Sequence, residues 1–300
     1  MRPTRQRLAM AALSLVLAGS AASAAPGQGA YYERALMRAA DARCHLFAPE
    51  VGSALAAAEA QARGAALRGG ATSAAVRALA VQAEAKQAAL PCASKDLALA
   101  AGRVRTAFEG YSKLIRMSFP GDDAGWQADR TLPLHTPIWR LSQAALSPIG
   151  PITFGIAGEW SQPAQLIAVA GFPAGEAPYA AQLSLRDPVR APEPYLDALH
   201  VSAWSRLPLS GRAPPRSAVQ IFAAEARAPA DKSLLPKGAT TALAFRFPPA
   251  AAAALAELDP REAVTLEFLF QDRAGATARK AYVEVGDFAA GRAFLAATPR

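Results

Sequence analysis

The sequence predicts an α+β protein: an N-terminal antiparallel helical bundle closed by a disulfide, then an antiparallel β-sandwich or partly closed barrel with short helices. Three observations carry this expectation. Apolar residues recur at helical spacing from about Tyr31 to Met117. From Ile152 onward the period switches to two. The two cysteines, Cys44 and Cys92, flank the break Arg68-Gly69-Gly70-Ala71-Thr72 almost symmetrically. The implied organisation is a signal peptide at 1–24, a helical bundle at 25–118, a Pro-rich inter-domain segment at 119–151 and a β-rich domain at 152–300.

At the N-terminus, Arg2, Arg5 and Arg7 precede an uncharged run from Leu8 to Ala18, and Ala22-Ser23-Ala24 comes after it. A basic region, a short apolar core and a small-residue cleavage site read as a Sec-type signal peptide cut before Ala25. The run is far shorter than the ~20 residues of a membrane span. The expected location is therefore periplasmic or secreted, with no transmembrane segment once the signal is removed.

Four helices are expected next. Tyr31 to Arg43 forms the first. Val51, Leu55, Ala58, Ala62 and Ala65 stripe the second, and Val76, Leu79, Ala83, Gln87 and Leu90 the third. Folding back at Gly69-Gly70 brings Cys44 and Cys92 to the same open end, which predicts their disulfide in an oxidising compartment. A redox-active pair would more commonly be spaced Cys-x-x-Cys. The fourth helix starts at an N-cap Ser94 and runs its stripe through Leu97, Ala101, Val104, Phe108, Tyr111 and Ile115.

Phe119-Pro120-Gly121 closes the bundle, and Pro133, Pro137, Pro148 and Pro151 punctuate the segment after it. Seven strands are then predicted: Ile152 to Ile156, Leu166 to Ala170, Gln182 to Leu185, Val219 to Ala224, Leu243 to Phe247, Val264 to Phe270 and Ala281 to Val285. Their alternation marks half-buried antiparallel strands. A hairpin is expected across Asp272-Arg273-Ala274-Gly275. Pro248 to Leu258 and Phe288 to Ala296 read as short helices packed on the sheet.

Chemistry-bearing motifs are sparse. His45, His135 and His200 are the only histidines, and none has a second ligand at metal-binding spacing. No nucleophile elbow, zinc-protease motif or phosphate-binding glycine loop occurs, so no catalytic residue, metal or cofactor is expected. The net charge of +8 falls to +5 without the three signal arginines, and the remaining basic residues are scattered singly. That pattern argues against a nucleic-acid partner. The one local candidate is the segment Asp122-Asp123-Ala124-Gly125-Trp126-Gln127-Ala128-Asp129-Arg130. As an interaction site, Trp126 would supply contact area, Arg130 would meet an anion, and Asp122, Asp123 or Asp129 would orient it. As an inter-domain turn, the same residues would pair among themselves. The expected function is that of an exported non-catalytic envelope protein, binding an envelope protein or an anionic ligand. The alternative is an envelope hydrolase whose carboxylates or histidines converge only in the fold.

Overall fold

The computed structural model describes residues 26–173, 176–194, 197, 206–272 and 275–296. The signal-peptide reading, His200 and the hairpin residues Arg273 and Ala274 fall outside them. Seven helices and two antiparallel sheets make up the described chain, which is α+β.

Helices α1 (Gln28–Cys44), α2 (Pro49–Arg68), α3 (Ser73–Ala88) and α4 (Lys95–Phe108) come first. Two N-caps are chemically evident: Thr72 accepts from the Ala75 N–H and Ser94 from the Leu97 N–H. Helix α1 runs antiparallel to α2, with Gly27 against Ala65 and Ala66 and the Arg34 guanidinium donating to the Ala58 carbonyl. Alanine makes the close approach possible. Ala35, Ala62, Ala66 and Ala83 share one small core with Tyr31, Leu67 and Val76. A second joins Met37, Ala40 and Leu55 to Leu97 and Ala101 of α4. Cys44 and Cys92 are bonded, with Cα atoms 5.6 Å apart.

The fourth helix is shorter than its stripe implied. It ends at Phe108, a 3-10 turn comes next at Tyr111–Lys113, and the chain enters β1 (Arg116–Phe119). Gly110 disfavours continued helix by about 1 kcal/mol relative to Ala. Residues 116–119 gain partners by pairing with β2 (Trp126–Asp129) from Arg116↔Asp129 to Phe119↔Trp126. Ile115, read as a core position of that helix, is 60% exposed.

The other strands are β3 (Ile138–Ser147), β4 (Gly150–Glu159), β5 (Gln162–Ala170), β6 (Ala180–Arg186), β7 (Val219–Ala223), β8 (Ala226–Pro229), β9 (Leu243–Arg246), β10 (Ala263–Asp272) and β11 (Gly275–Glu284). All seven sequence-predicted strands are among them. Asp272 pairs with Gly275 at the expected hairpin. The additional strands are β1, β2, β3 and β8. Two of these, β2 and β3, lie wholly within 119–151, the stretch read as an inter-domain segment, and β3 is hydrogen-bonded between β2 and β4. One sheet has the order β1-β2-β3-β4-β5-β9-β8 and the other β11-β10-β6-β7, and neither closes into a barrel. The chain passes between them from β5 to β6, β7 to β8 and β9 to β10. Helices α5 (Leu209–Arg212), α6 (Pro249–Ala256) and α7 (Phe288–Ala296) complete the chain, the last two where the sequence predicts short helices.

Both sheets contribute to one main core. Leu141, Phe154, Leu166 and Phe245 of the larger sheet share it with Leu183, Leu266, Phe268 and Val283 of the smaller. The Phe245 and Phe268 rings meet edge to face at 5.4 Å. Helix α2 packs on α7 and places Ala57 in this core. Gly64 is obligatory for that contact, because a Cβ there would collide with the Asp287 carboxylate. No described helix is long and apolar enough to cross a membrane.

The disulfide closes a loop of 48 residues, worth about 4 kcal/mol in the chain-entropy model before strain. Cys44→Ser is expected to cost up to about that much in urea unfolding, with amide exchange accelerating in α1 and α3 more than in β10. Thiol labelling of the unfolded, unreduced protein should find no reactive cysteine. Two reactive thiols per chain would rule the bridge out.

Candidate functional site

The structure separates the residues of the 122–130 segment. Asp122 and Asp123 belong to a turn wrapped around Glu284, whose side chain is fully buried. The N–H groups of Asp122, Asp123 and Ala124 donate to its carboxylate at 2.5, 2.8 and 2.9 Å. Arg212, also fully buried, faces all three carboxylates: 3.5 Å from Asp122, 3.7 Å from Glu284 and in direct contact with Asp123. Burial pushes the Glu284 carboxyl above its ordinary range, against the opposing pull of the N–H groups and Arg212.

Trp126 is 0% exposed, donates Nε1–H to the Val285 carbonyl at 2.8 Å and packs edge to face on Phe288. It is a core residue and offers no contact surface. Arg130 is buried as well. Its guanidinium donates to the carbonyls of Phe294, Tyr111 and Leu114 and lies over the Phe294 ring. Asp129 pairs with Arg116 at 2.7 Å and accepts from the Thr131 N–H. Only Asp122 and Asp123 of the five residues come together. Arg212 supplies the positive charge among them. Among the described residues no three His, Cys, Asp or Glu side chains are placed to hold a metal ion.

A cavity of about 500 Å³ lies between α2, α3 and the turns at 257–260 and 285–289. Its wall includes Arg63, Ser73, Arg186, Asp259 and Asp287. Arg261 clamps Asp259 through both ends, Nε to Oδ1 and Nη2 to Oδ2, each at 2.9 Å, and Ser73 Oγ donates to Asp259 at 2.8 Å. Arg68 clamps Asp287 the same way at 2.9 and 3.0 Å. Burial raises the Asp259 carboxyl, but the hydrogen bonds and charge of Arg261 outweigh it and hold the group below the usual aspartate range. Behind this wall, Glu262 receives one side-chain donor, Arg186 Nε at 2.7 Å. Its Oε2 has no partner among the described residues. Burial pushes Glu262 up to about 8, with Arg186 offsetting part of the rise and Asp259 adding to it.

A second cavity, about 630 Å³, opens beside β4, β5, β9, α6 and α7. Its apolar lining includes Ile156, Leu166, Phe247 and Leu295, and three arginines line it from separate elements: Arg140, Arg246 and Arg292. Arg140, 5% exposed, donates Nε–H to the Asp129 carbonyl at 2.8 Å. Arg292 donates to the Ala252 carbonyl at 2.9 Å, and Arg246 is exposed. Among the described residues no carboxylate lies within ion-pair distance of any of the three. None of them stood out in the sequence. They are more than 45 positions apart, and Arg246 alone occupies a recognisable place, the outward position between Phe245 and Phe247. No protein-family model, curated protein or solved structure matches this chain.

Glu262 gives the cluster a pH signature. Its native pKa of about 8 lies above its ordinary 4.5. Between those values the native state binds more protons than the unfolded one, so this residue's contribution is complete below about pH 4.5 and is lost as pH rises towards 8. Glu262→Gln cannot titrate. Urea unfolding from pH 5 to 8 is expected to show the wild type losing stability relative to this variant. Parallel profiles would mean that Glu262 is ionised throughout.

Proposed function

We propose that this chain is an exported, non-catalytic binding protein of the envelope, with a Sec-type signal at 1–24, a disulfide-closed helical bundle and a β-sandwich, and that it takes an anionic ligand. The observation that carries the reading is the second cavity, where Arg140, Arg246 and Arg292 line an apolar space and no described carboxylate lies within ion-pair distance, the Asp129 charge reaching Arg140 only from farther off. Guanidinium groups are suited to carboxylate and phosphate oxygens, and a volume of about 630 Å³ suits a small molecule. The bonded pair Cys44–Cys92 accords with an oxidising compartment.

The competing reading, a hydrolase, rests on Glu262, whose raised pKa is the kind found in acid catalysts. Two facts weigh against it. Glu262 is not part of the wall of the 500 Å³ cavity. The two aspartates that do line that wall, Asp259 and Asp287, each have both oxygens engaged by an arginine, although burial raises the Asp287 carboxyl against the pull of Arg68.

N-terminal sequencing of the protein recovered from its native source is expected to begin at Ala25; an intact Met1 would overturn export. Mild purification of the native protein, then unfolding and negative-ion mass spectrometry, should release an anionic compound in near-equimolar amount. Release of neutral compounds alone would count against the ligand class.

A further inference from the structure

We propose that the cavity walled by Arg140, Arg246 and Arg292 is a binding site for an anionic amphiphile, a molecule with one carboxylate or phosphate head and an apolar chain or ring. This deepens the proposed function and rests on it. Arg140 is the costly member of the three. A guanidinium at 5% exposure is expensive without a counter-charge, and its one side-chain hydrogen bond among the described residues is Nε–H to a neutral carbonyl. Arg130, equally buried, shows how the same fold treats a purely structural arginine: three carbonyls receive its guanidinium and an aromatic ring covers it. Arg140 makes one such bond among the described residues and lines the cavity.

The other two arginines line the same space. Strands β3, β4, β5 and β9 are consecutive in the larger sheet. Leu141 pairs with Ile156, Ile156 with Leu166, and Ile167 with Arg246. Arg246 pairs with Ile167 rather than Leu166, so it leaves the sheet on the opposite face and lines the cavity as an exposed residue. Arg292 comes from α7, fixed by its bond to the Ala252 carbonyl of α6. Glu225 is the only acidic residue in the described lining; its N–H donates to the Arg246 carbonyl, and its carboxylate forms no ion pair with the three arginines. Three positive groups meet one negative group around an apolar surface.

That combination selects a class. A small hydrophilic anion would use the arginines and leave Pro163, Ala164, Pro249 and Leu295 facing water. A neutral apolar compound would leave Arg140 with only the more distant charge of Asp129. A molecule with both parts satisfies both, since each buried CH₂ adds about 0.8 kcal/mol and the head group meets charge-assisted donors.

The probe is decanoate, titrated calorimetrically into the full mature chain, with acetate and decanol as partial ligands. The expected result is one decanoate per chain, with acetate and decanol each at least tenfold weaker. Arg246→Glu is the diagnostic variant, because the residue is exposed and its replacement should leave the fold intact; it is expected to weaken decanoate at least tenfold. Thermal unfolding of the variant near the wild-type midpoint would establish that intactness. Acetate binding as tightly as decanoate would overturn the amphiphile while leaving an anion-binding function standing. Decanol matching decanoate would overturn the role of the arginines. Decanoate binding untouched by Arg246→Glu would put the site elsewhere, and no binding of either anion would overturn both this inference and the function beneath it.

Discussion

Glu284 ends β11 with a carboxylate that water does not reach, and its oxygens are met by three successive N–H groups from the turn between β1 and β2. The same residue's N–H donates to the Gln143 side-chain oxygen, while the Gln143 amide donates to the Glu284 and Ala124 carbonyls. Edge strands of one sheet and the last strand of the other are thereby fixed at a single point. A buried ion is expensive, and this one is tolerated because backbone dipoles and Arg212 surround it. Trp126 can sit fully enclosed beneath this turn because its position is set from both sides. Gly286 next to it has φ of 46°, and a Cβ there would stand 3.3 Å from the indole.

The protein uses arginine in two distinct ways. Arg68, Arg186 and Arg261 serve carboxylates that would otherwise be stranded between the helices and the sheets. Of these, Arg68–Asp287 joins α2 to the β-rich part, as the Ser73 hydroxyl on Asp259 joins α3 to it, while the other two pairs lie within the β-rich part. Arg140, Arg246 and Arg292 form no ion pair among the described residues, although Glu225 lies in the same lining.

Much of the secondary structure was legible in the sequence because alternation and the 3.6-residue period are local properties. Of the strands missed, β1, β2 and β8 are only four residues long, too short to display a period. In β3, Arg140 and Gln143 are buried against partners distant in sequence, so the stretch does not alternate between apolar and polar. The helical stripe overran into β1 because Ile115 continues a three-and-four spacing, and only pairing with residues 126–129 decides otherwise. Trp126 and Arg130 had the residue types of a binding anchor, but types do not report burial. The arginine cavity was invisible for a related reason: its members come from β3, β9 and α7, and only the sheet order and the packing of α7 bring them together.

The seating of α2 on α7 has a consequence for synthesis. The Arg68–Asp287 clamp spans 219 residues, so a chain emerging from a ribosome or a translocation pore presents α2 long before its partner exists. During that interval Ala57 and the glycine-lined face around Gly64 have no native cover. The early helices can approach one another and the cysteines can meet, but the main core cannot close. A chain cut anywhere upstream of Phe288 would lack the helix that covers α2. Such fragments would be natural targets for quality-control proteases, making completion of the last strand and helix the step that separates retention from degradation.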